Sequence, residues 1–504
     1  METPRPPRGA PVIGTAVLLL LVPLCSYWET VFHRFGFRDD YSILREAREE
    51  PGKILRVCSS QGRILYGWLL EMSARAAGDI EGLCWMRLAS VVCLGLLASA
   101  VFLLLLRAGW SLAPAALLAA FMPLTPSAQV LASWAICWPH ALALLLATGA
   151  FALADQGLRA GTRRLVQAGG GLGAVLLMAA ATLTYQSNSL FYVVLVAATL
   201  VVRRQDTFWG SVRWLVRHLC VVGAGLGVAF AVSQATFAAH VFTRSPRIRF
   251  ETHWVSKAIW MVTQVLPDAL AQPVLDGARG TAAGVYWLMV LGAVGVISVG
   301  TVMERRRIGP AGGWRWLLGM VALSGAAYSV SFLAAERFPT YRTIYALTGV
   351  WSVFIAASLV NIGRLLPGRG RQVAIAGLAG FVLAGALLAR WQSFELFAVP
   401  QGRELQLMEE GVRKAVLAKR PRIFVITATQ DDSSAPLRYR DEFGSVSIDA
   451  EWVAKEVLKS LMKERFAGAT DVYTQYSFAA GPKVPEPKSY DILIDMRRMR
   501  EARP

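Results

Sequence analysis

Charge is what this chain has least of. Asp, Glu, Lys and Arg make up 17% of its 504 residues, against about 25% in soluble proteins, which excludes an ordinary water-soluble globule. Aspartate, glutamate and lysine are missing from the centres of the long apolar runs. An ion-coupled transporter would be expected to carry them near the bilayer midplane. Cysteine occurs only six times, without metal-ligand spacing. Cys25, Cys93, Cys137 and Cys220 fall in apolar runs, where cysteine serves as a small apolar residue. Cys58 and Cys84 share one long polar stretch and could pair in an oxidising compartment, although sequence does not fix their separation.

Hydrophobic residues, at 55%, are plentiful. About 20 of them in a row cross ~30 Å of hydrocarbon, and such runs recur over the first ~390 residues, so one cleavable leader does not explain them. They predict eleven spans near 12–28, 88–106, 112–124, 135–154, 166–183, 189–202, 219–241, 283–302, 316–335, 344–362 and 373–388, of which the third and sixth are short. With the N-terminus inside, the inner connections hold 17 arginines and four acids, whereas the first outer loop balances nine bases with nine acids. This sorting matches the positive-inside rule. It accounts for the net charge of +18 as arginine facing anionic headgroups, and argues against nucleic acid as a partner.

The outer loops carry the information. Loop 29–87 is too long for a simple connection. Its stripe of Ile64, Leu65, Trp68, Leu69 and Met72 has helical spacing and suits a helix lying in the membrane interface; 254–266 reads similarly. From residue 391 onward the pattern is that of a small soluble α/β or α+β domain, with helices at 404–418 and 451–466 and strands at 422–427, 471–477 and 490–495. The expected fold is therefore an α-helical polytopic membrane domain over 1–390, with an extracytoplasmic domain over 391–504.

Sorting polar residues by face gathers several groups outside. Arg38, Asp39, Asp40 and Tyr41 follow the first span. Tyr185 and Gln186 occupy the turn between spans five and six, and Arg244, Arg247 and Arg249 lie in the fourth outer loop. Arg337, Tyr341 and Arg342 lie between spans nine and ten. Singly, the acidic pair reads as a helix N-terminus, and the others as a polar turn and headgroup-binding arginines.

Together, an acidic pair in a large first outer loop, interfacial helices, many spans and a C-terminal extracytoplasmic domain resemble the GT-C class of membrane glycosyltransferases. The segments FRDDYSILRE, LTYQSNSLFYV and ERFPTYRTIYAL look like those of bacterial O-antigen (serotype-type) glucosyltransferases. The resemblance implies a bacterial inner-membrane enzyme. Its partners would be a polyprenyl-phosphate-linked sugar donor in the lipid bilayer and a glycan, lipid or protein acceptor. Phosphate is already a competent leaving group, so arginines such as Arg337 or Arg342 would take its charge. One carboxylate of Asp39-Asp40 would take the acceptor proton. Asp40 is the choice here, because backbone N–H groups at a helix start could hold it. The other carboxylate would orient the sugar, position the first or hold a divalent cation such as Mg or Mn. Direct displacement of this kind inverts the anomeric centre, and a covalent route would want a second, separately placed carboxylate. The alternatives are a transporter or flippase, a non-enzymatic envelope-assembly protein, and an acyltransferase using His140 as base.

The expected orientation is N-terminus inside, C-terminal domain outside. Alkaline phosphatase fused after Trp391 should be active, and inactive when fused within 203–213. The reverse pattern would put Asp39 and Asp40 on the wrong face for this chemistry.

Overall fold

The computed structural model describes residues 9–158, 164–203, 207–277, 281–337, 340–364, 368–437, 439 and 441–500, apart from the side chains of 164–166 and 281–282. Arg5, Arg8, Arg159, Arg163, Arg204, Phe338 and Pro339 lie outside the described residues.

α1 (Ala10–Phe32) begins with a proline in its first turn, where a missing N–H costs nothing. Its 23 residues reach about 35 Å. Three helices of the long connection follow, α2 (Asp39–Glu49), α3 (Lys53–Ser59) and α4 (Ile64–Ala77), before α5 (Leu83–Ala108) returns through the bundle. Next come α6 (Leu112–Phe121), α7 (Pro126–Ser133), α8 (Trp138–Gly157), α9 (Arg164–Thr184), α10 (Gln186–Ser189), α11 (Tyr192–Leu200) and α12 (Phe208–Ala238). The second long connection holds α13 (Trp254–Trp260) and α14 (Leu266–Leu270), joined by a π turn at Met261–Val265. α15 (Thr281–Ile308), α16 (Pro310–Ala327), the short α17 (Ser329–Leu333), α18 (Tyr345–Gly363) and α19 (Gly370–Ser393) complete the bundle.

Among the described residues, eight helices are long and apolar enough to cross a membrane, not eleven. They correspond to α1, α5, α8, α9, α12, α15, α18 and α19. Of the other three expected spans, the first passes only as a bent pair, which would make nine, and the other two are helical but fall short. α6 and α7 meet at 52°, because Pro123 and Pro126 interrupt the backbone ladder. Tyr27 and Tyr345 donate hydroxyls to the Pro123 and Met122 carbonyls at 2.6 and 2.8 Å, satisfying groups the break would strand. α10 and α11 together give a short apolar helix, Gln186–Leu200, and every residue of α11 is buried. α16 is rich in glycine and carries Arg315 near its start. Arg315 is buried and pairs with Glu304 at 3.1 Å, rather than facing headgroups.

The N-terminal end of α1 and the C-terminal domain lie at opposite ends of the bundle. At the domain end, Thr30 bonds Ser393 at 3.0 Å, and Arg34, just past α1, pairs with Glu409 and Glu464 of the domain. α19 continues through a π turn, Phe394–Ala398, into α20 (Val399–Val412). Then come β1 (Arg422–Ile426), α21 (Glu451–Arg465), β2 (Ser477–Gly481) and β3 (Ile492–Asp495). The strands form one parallel sheet in the order β2-β1-β3, with Arg422 beside Ser477 and Ile423 beside Ile492. This is the α/β alternative. The strand expected at 471–477 is displaced: Val472–Thr474 is a 3₁₀ turn and pairing starts at Ser477. Cys58 and Cys84 are both free thiols.

The interfacial stripe divides as a lipid-facing helix should. Trp68 and Met72 are exposed, whereas Tyr66, Leu70 and Ala74 pack inward. On the inner side of the same connection, Arg87 is fully buried. Its guanidinium donates to the carbonyls of Val31, Phe35 and His33 at 3.1, 2.9 and 2.7 Å and lies 4.1 Å from the Phe35 ring centroid. It therefore holds the chain leaving α1. Arg87→Ala should cost about 3–5 kcal/mol by leaving those carbonyls and the nearby Asp40 carboxylate without their cation. The measurement is the midpoint of unfolding in detergent, and an unchanged midpoint would show that the 31–35 segment holds itself.

Candidate active site

The chain between α1 and α2 is shaped by close contacts. Gly36 packs on Tyr41, where an added Cβ would stand 2.9 Å from the ring, and the Tyr41 hydroxyl bonds the Gly36 N–H and carbonyl at 3.1 and 3.0 Å. Tyr41 is thus a buried brace. Asp40 is also fully enclosed. Its carboxylate accepts the Phe37 N–H at 2.8 Å and the Ile136 N–H at 3.1 Å, so it ties the start of α2 to the turn before α8. Burial pushes its pKa up to about 7, against the opposing effect of the two N–H donors and Arg87. The backbone N–H groups that favoured Asp40 as a base occupy it here.

Asp39, one helical position earlier, is half-buried. Burial holds its carboxyl above the ordinary range, while Arg342, Arg38 and Arg247 pull it down. Asp39 is therefore the member of the pair set among cations. This environment, with the Asp40 oxygens occupied by amides, does not fit a divalent cation held by the acidic pair. No group of three or more His, Cys, Asp or Glu residues that could hold a metal is found among the described residues.

Beside α2 opens a cavity of ≈ 510 Å³. Four arginines line it: Arg63 from just before α4, Arg247 and Arg249 from the loop after α12, and Arg342 from the turn before α18. Arg342 lies over the Trp134 ring, 4.6 Å from its centroid, and Trp134 meets Phe37 edge-on at 4.7 Å. Arg63 lies over the Tyr185 ring at 4.7 Å and donates to Gln186 at 3.1 Å. α12 contributes Leu226, Ala229, Phe230 and Phe237, a mostly apolar surface interrupted by Ser233 and Gln234. Leu226 to Phe237 covers about 16 Å of helix, so this wall runs down a membrane-spanning element.

Of the predicted residues, Tyr185, Gln186, Arg247 and Arg342 line the cavity. Arg337 does not: it pairs with Glu251 at 3.2 Å and Ser256 at 2.7 Å, pinning two connections together. Tyr341 is buried, and its hydroxyl accepts the Asp276 N–H at 2.8 Å. Arg38 turns to the C-terminal domain and pairs with Asp449 at 3.4 Å. Arg244 is exposed and folds back on the Ile248 carbonyl at 3.4 Å. His140 is buried and stacks behind Tyr185 at 3.6 Å, away from the position an acyl-transfer base would need at the cavity surface.

No protein-family model matches the chain, and no curated protein matches it in sequence. Among solved structures it is similar to the oligosaccharyltransferase of Archaeoglobus fulgidus tethered with an acceptor peptide. That match has 12% identity and a TM-score of 0.47, over 94% of this chain and 64% of that one. It is also similar to ArnT from Cupriavidus metallidurans in the apo state, with 12% identity and a TM-score of 0.43 over 83% of each chain. ArnT bound to undecaprenyl phosphate matches with 14% identity and a TM-score of 0.39, over 82% of this chain and 83% of that one. The chain spans less than two thirds of the oligosaccharyltransferase's length. The likeness to O-antigen glucosyltransferases is carried by the sequence motifs alone.

Sequence reasoning passed over Arg63. A signal was present, because a cation at the start of a helix opposes the positive end of the helix dipole and calls for another partner. Here the partners are Tyr185 and Gln186.

The structural role of Asp40 is testable by pH. A carboxyl raised in the folded state stabilises most below about pH 4, and that contribution is lost as pH rises through about 7. Asp40→Asn should remove this slope. It should also cost about 1–3 kcal/mol, since an amide accepts one N–H well but not two. Detergent unfolding of both proteins from pH 5 to 8 measures this, and parallel curves would contradict the assignment.

Proposed function

We propose that the protein is a membrane glycosyltransferase. It moves a sugar from a polyprenyl-phosphate carrier to a glycan, lipid or protein acceptor on the outer face of the bacterial inner membrane, with inversion. The observation that carries this reading is the cavity's two-sided chemistry. Four arginines share it with a mostly apolar surface of a membrane helix, which suits a ligand with a phosphate head and a hydrocarbon tail. Asp39 stands in the field of two of those arginines.

In the proposed reaction the phosphate lies against Arg342 and Arg63, and its tail follows Leu226, Phe230 and Phe237 along α12. Asp39, its carboxyl held above the ordinary range by burial, takes the proton of the acceptor hydroxyl. The acceptor oxygen attacks the anomeric carbon while the carbon–oxygen bond to phosphate breaks. The leaving phosphate keeps that electron pair, and its charge is met by guanidinium groups that are already in place. The acid retained next to an arginine-rich pocket is thus the base, and Asp40 keeps it there.

Transfer from a synthetic polyprenyl-phosphate sugar tests the assignments. Asp39→Asn should fold normally and lose about 10²–10⁴ in rate. Arg342→Lys should be nearly as damaging as Arg342→Ala, because the planar fork is lost while the charge is kept. Arg337→Lys should leave the donor KM unchanged. Wild-type transfer by Asp39→Asn would remove the base, and full activity in Arg342→Lys would reduce that arginine to an electrostatic anchor.

A further inference from the structure

One segment of the C-terminal domain, residues 441–449, lies beyond the C-terminal end of β1 and packs against Arg342, Tyr341 and Arg38. Asp441 has a φ of +66°, a left-handed conformation that aspartate tolerates better than most residues. There its carboxylate accepts the Tyr341 N–H at 2.6 Å. The neighbouring Glu442 is buried, with Oε1 3.9 Å from Arg342 Nε. Further along, the Ser447 hydroxyl accepts the Arg38 N–H at 3.2 Å, and Asp449 pairs with the Arg38 guanidinium. One short segment therefore touches the residue next to Asp39 and the residue next to Arg342, as well as Arg342 itself.

The segment is firmly mounted. The Gly444 N–H donates to the Leu396 carbonyl at 2.6 Å. Gln401 donates to the Ser445 carbonyl at 2.8 Å and accepts from the Ser447 hydroxyl at 2.6 Å. Glu404 accepts the Ser447 N–H at 2.8 Å. Those partners lie on the π turn and α20, the rigid continuation of the last membrane helix. Phe443 meets the Tyr341 ring at 5.8 Å and the Phe397 ring at 6.2 Å, closing the same contact with apolar surface.

We propose that Asp441 and Glu442 are positioning residues, through which the C-terminal domain holds Arg342 at the donor phosphate in register with Asp39. This rests on the reading of Arg342 given above. The geometry supplies the reason. A free arginine side chain samples many rotamers, so a bidentate contact with phosphate must first order it. Here one face of the guanidinium is covered by Trp134 and its Nε side faces Glu442, which directs the terminal nitrogens to the cavity. Asp441 fixes the backbone one residue earlier. Burial and the neighbouring Glu442 hold the Asp441 carboxyl far above its usual range, so the acidic pair keeps a proton and sets one negative charge, not two, beside the arginine.

The test has two arms on the full-length protein in detergent. In the first, Glu442→Gln should raise the KM for a synthetic polyprenyl-phosphate sugar at least tenfold while kcat stays within twofold. The same substitution in an Arg342→Ala background should add nothing, because Glu442 acts through that arginine. An unchanged KM in the single variant, or an undiminished further loss in the double variant, would overturn the proposal. The second arm needs no substrate. Asp441→Asn should speed hydrogen exchange in the peptide covering 340–345, with the β1 peptide unchanged. Unchanged exchange at 340–345, or faster exchange throughout the domain, would also overturn it. If the wild-type protein transfers no sugar from such donors, the functional reading fails separately, and the exchange arm still decides whether the domain holds the turn.

Discussion

The Asp40 carboxylate lies closed inside the protein, shared between the amides of Phe37 and Ile136. Those amides belong to two parts of the chain about a hundred residues apart, the entry to α2 and the turn between α7 and α8. Holding them together sets Phe37 against Trp134, and Trp134 carries Arg342. The separation between Asp39 and the arginine it faces thus descends from one buried acid. Arg87 supports the arrangement from below by gathering three carbonyls of the same entry segment. Without these contacts the cavity would still have its arginines but no fixed distance to Asp39.

The excess of arginine serves several different ends. Seventeen are sorted into the connections expected to face inward. Arg87 and Arg315 are buried and satisfied by carbonyls or by Glu304. Arg45 links α2 to α21 through Glu456 at 2.6 Å, and Arg34 reaches Glu409 and Glu464. Among the described residues, Arg63, Arg247, Arg249 and Arg342 are the arginines that line the cavity. Composition reports their sum, and only geometry separates them.

Much of the fold was legible because a membrane restricts the options. Long apolar runs must be helices, since hydrocarbon offers no partner to an exposed amide, and the arginine sorting ordered their ends. What escaped was whatever depends on neighbours. The run Phe478-Ala479-Ala480-Gly481 has little strand propensity, yet it pairs with β1 because the sheet provides the partners. Val472–Thr474 has the better composition and forms a turn. At the site, adjacent residues on a helix point about 100° apart. Which of Asp39 and Asp40 is enclosed and which stands among the arginines therefore depended on the rotation of α2, which no local pattern encodes. Arg337 and Arg342 looked equivalent until Glu251 took one of them.

α7 and α11 bear on how the protein is made. Both are completely enclosed, and α7 contains Ser127, Gln129 and Ser133 among its eight buried residues. A segment this short and polar does not partition into lipid by itself. Its shelter comes partly from the earlier helices α1 and α5 and partly from helices synthesised much later, α18 beside α11 and α19 beside α7. The enclosure of both segments is complete only when more than a hundred further residues have emerged. Insertion and tertiary folding are then a single event for this part of the chain. A ribosome stalled before α18 would leave behind an incompletely integrated protein, a natural substrate for membrane quality control.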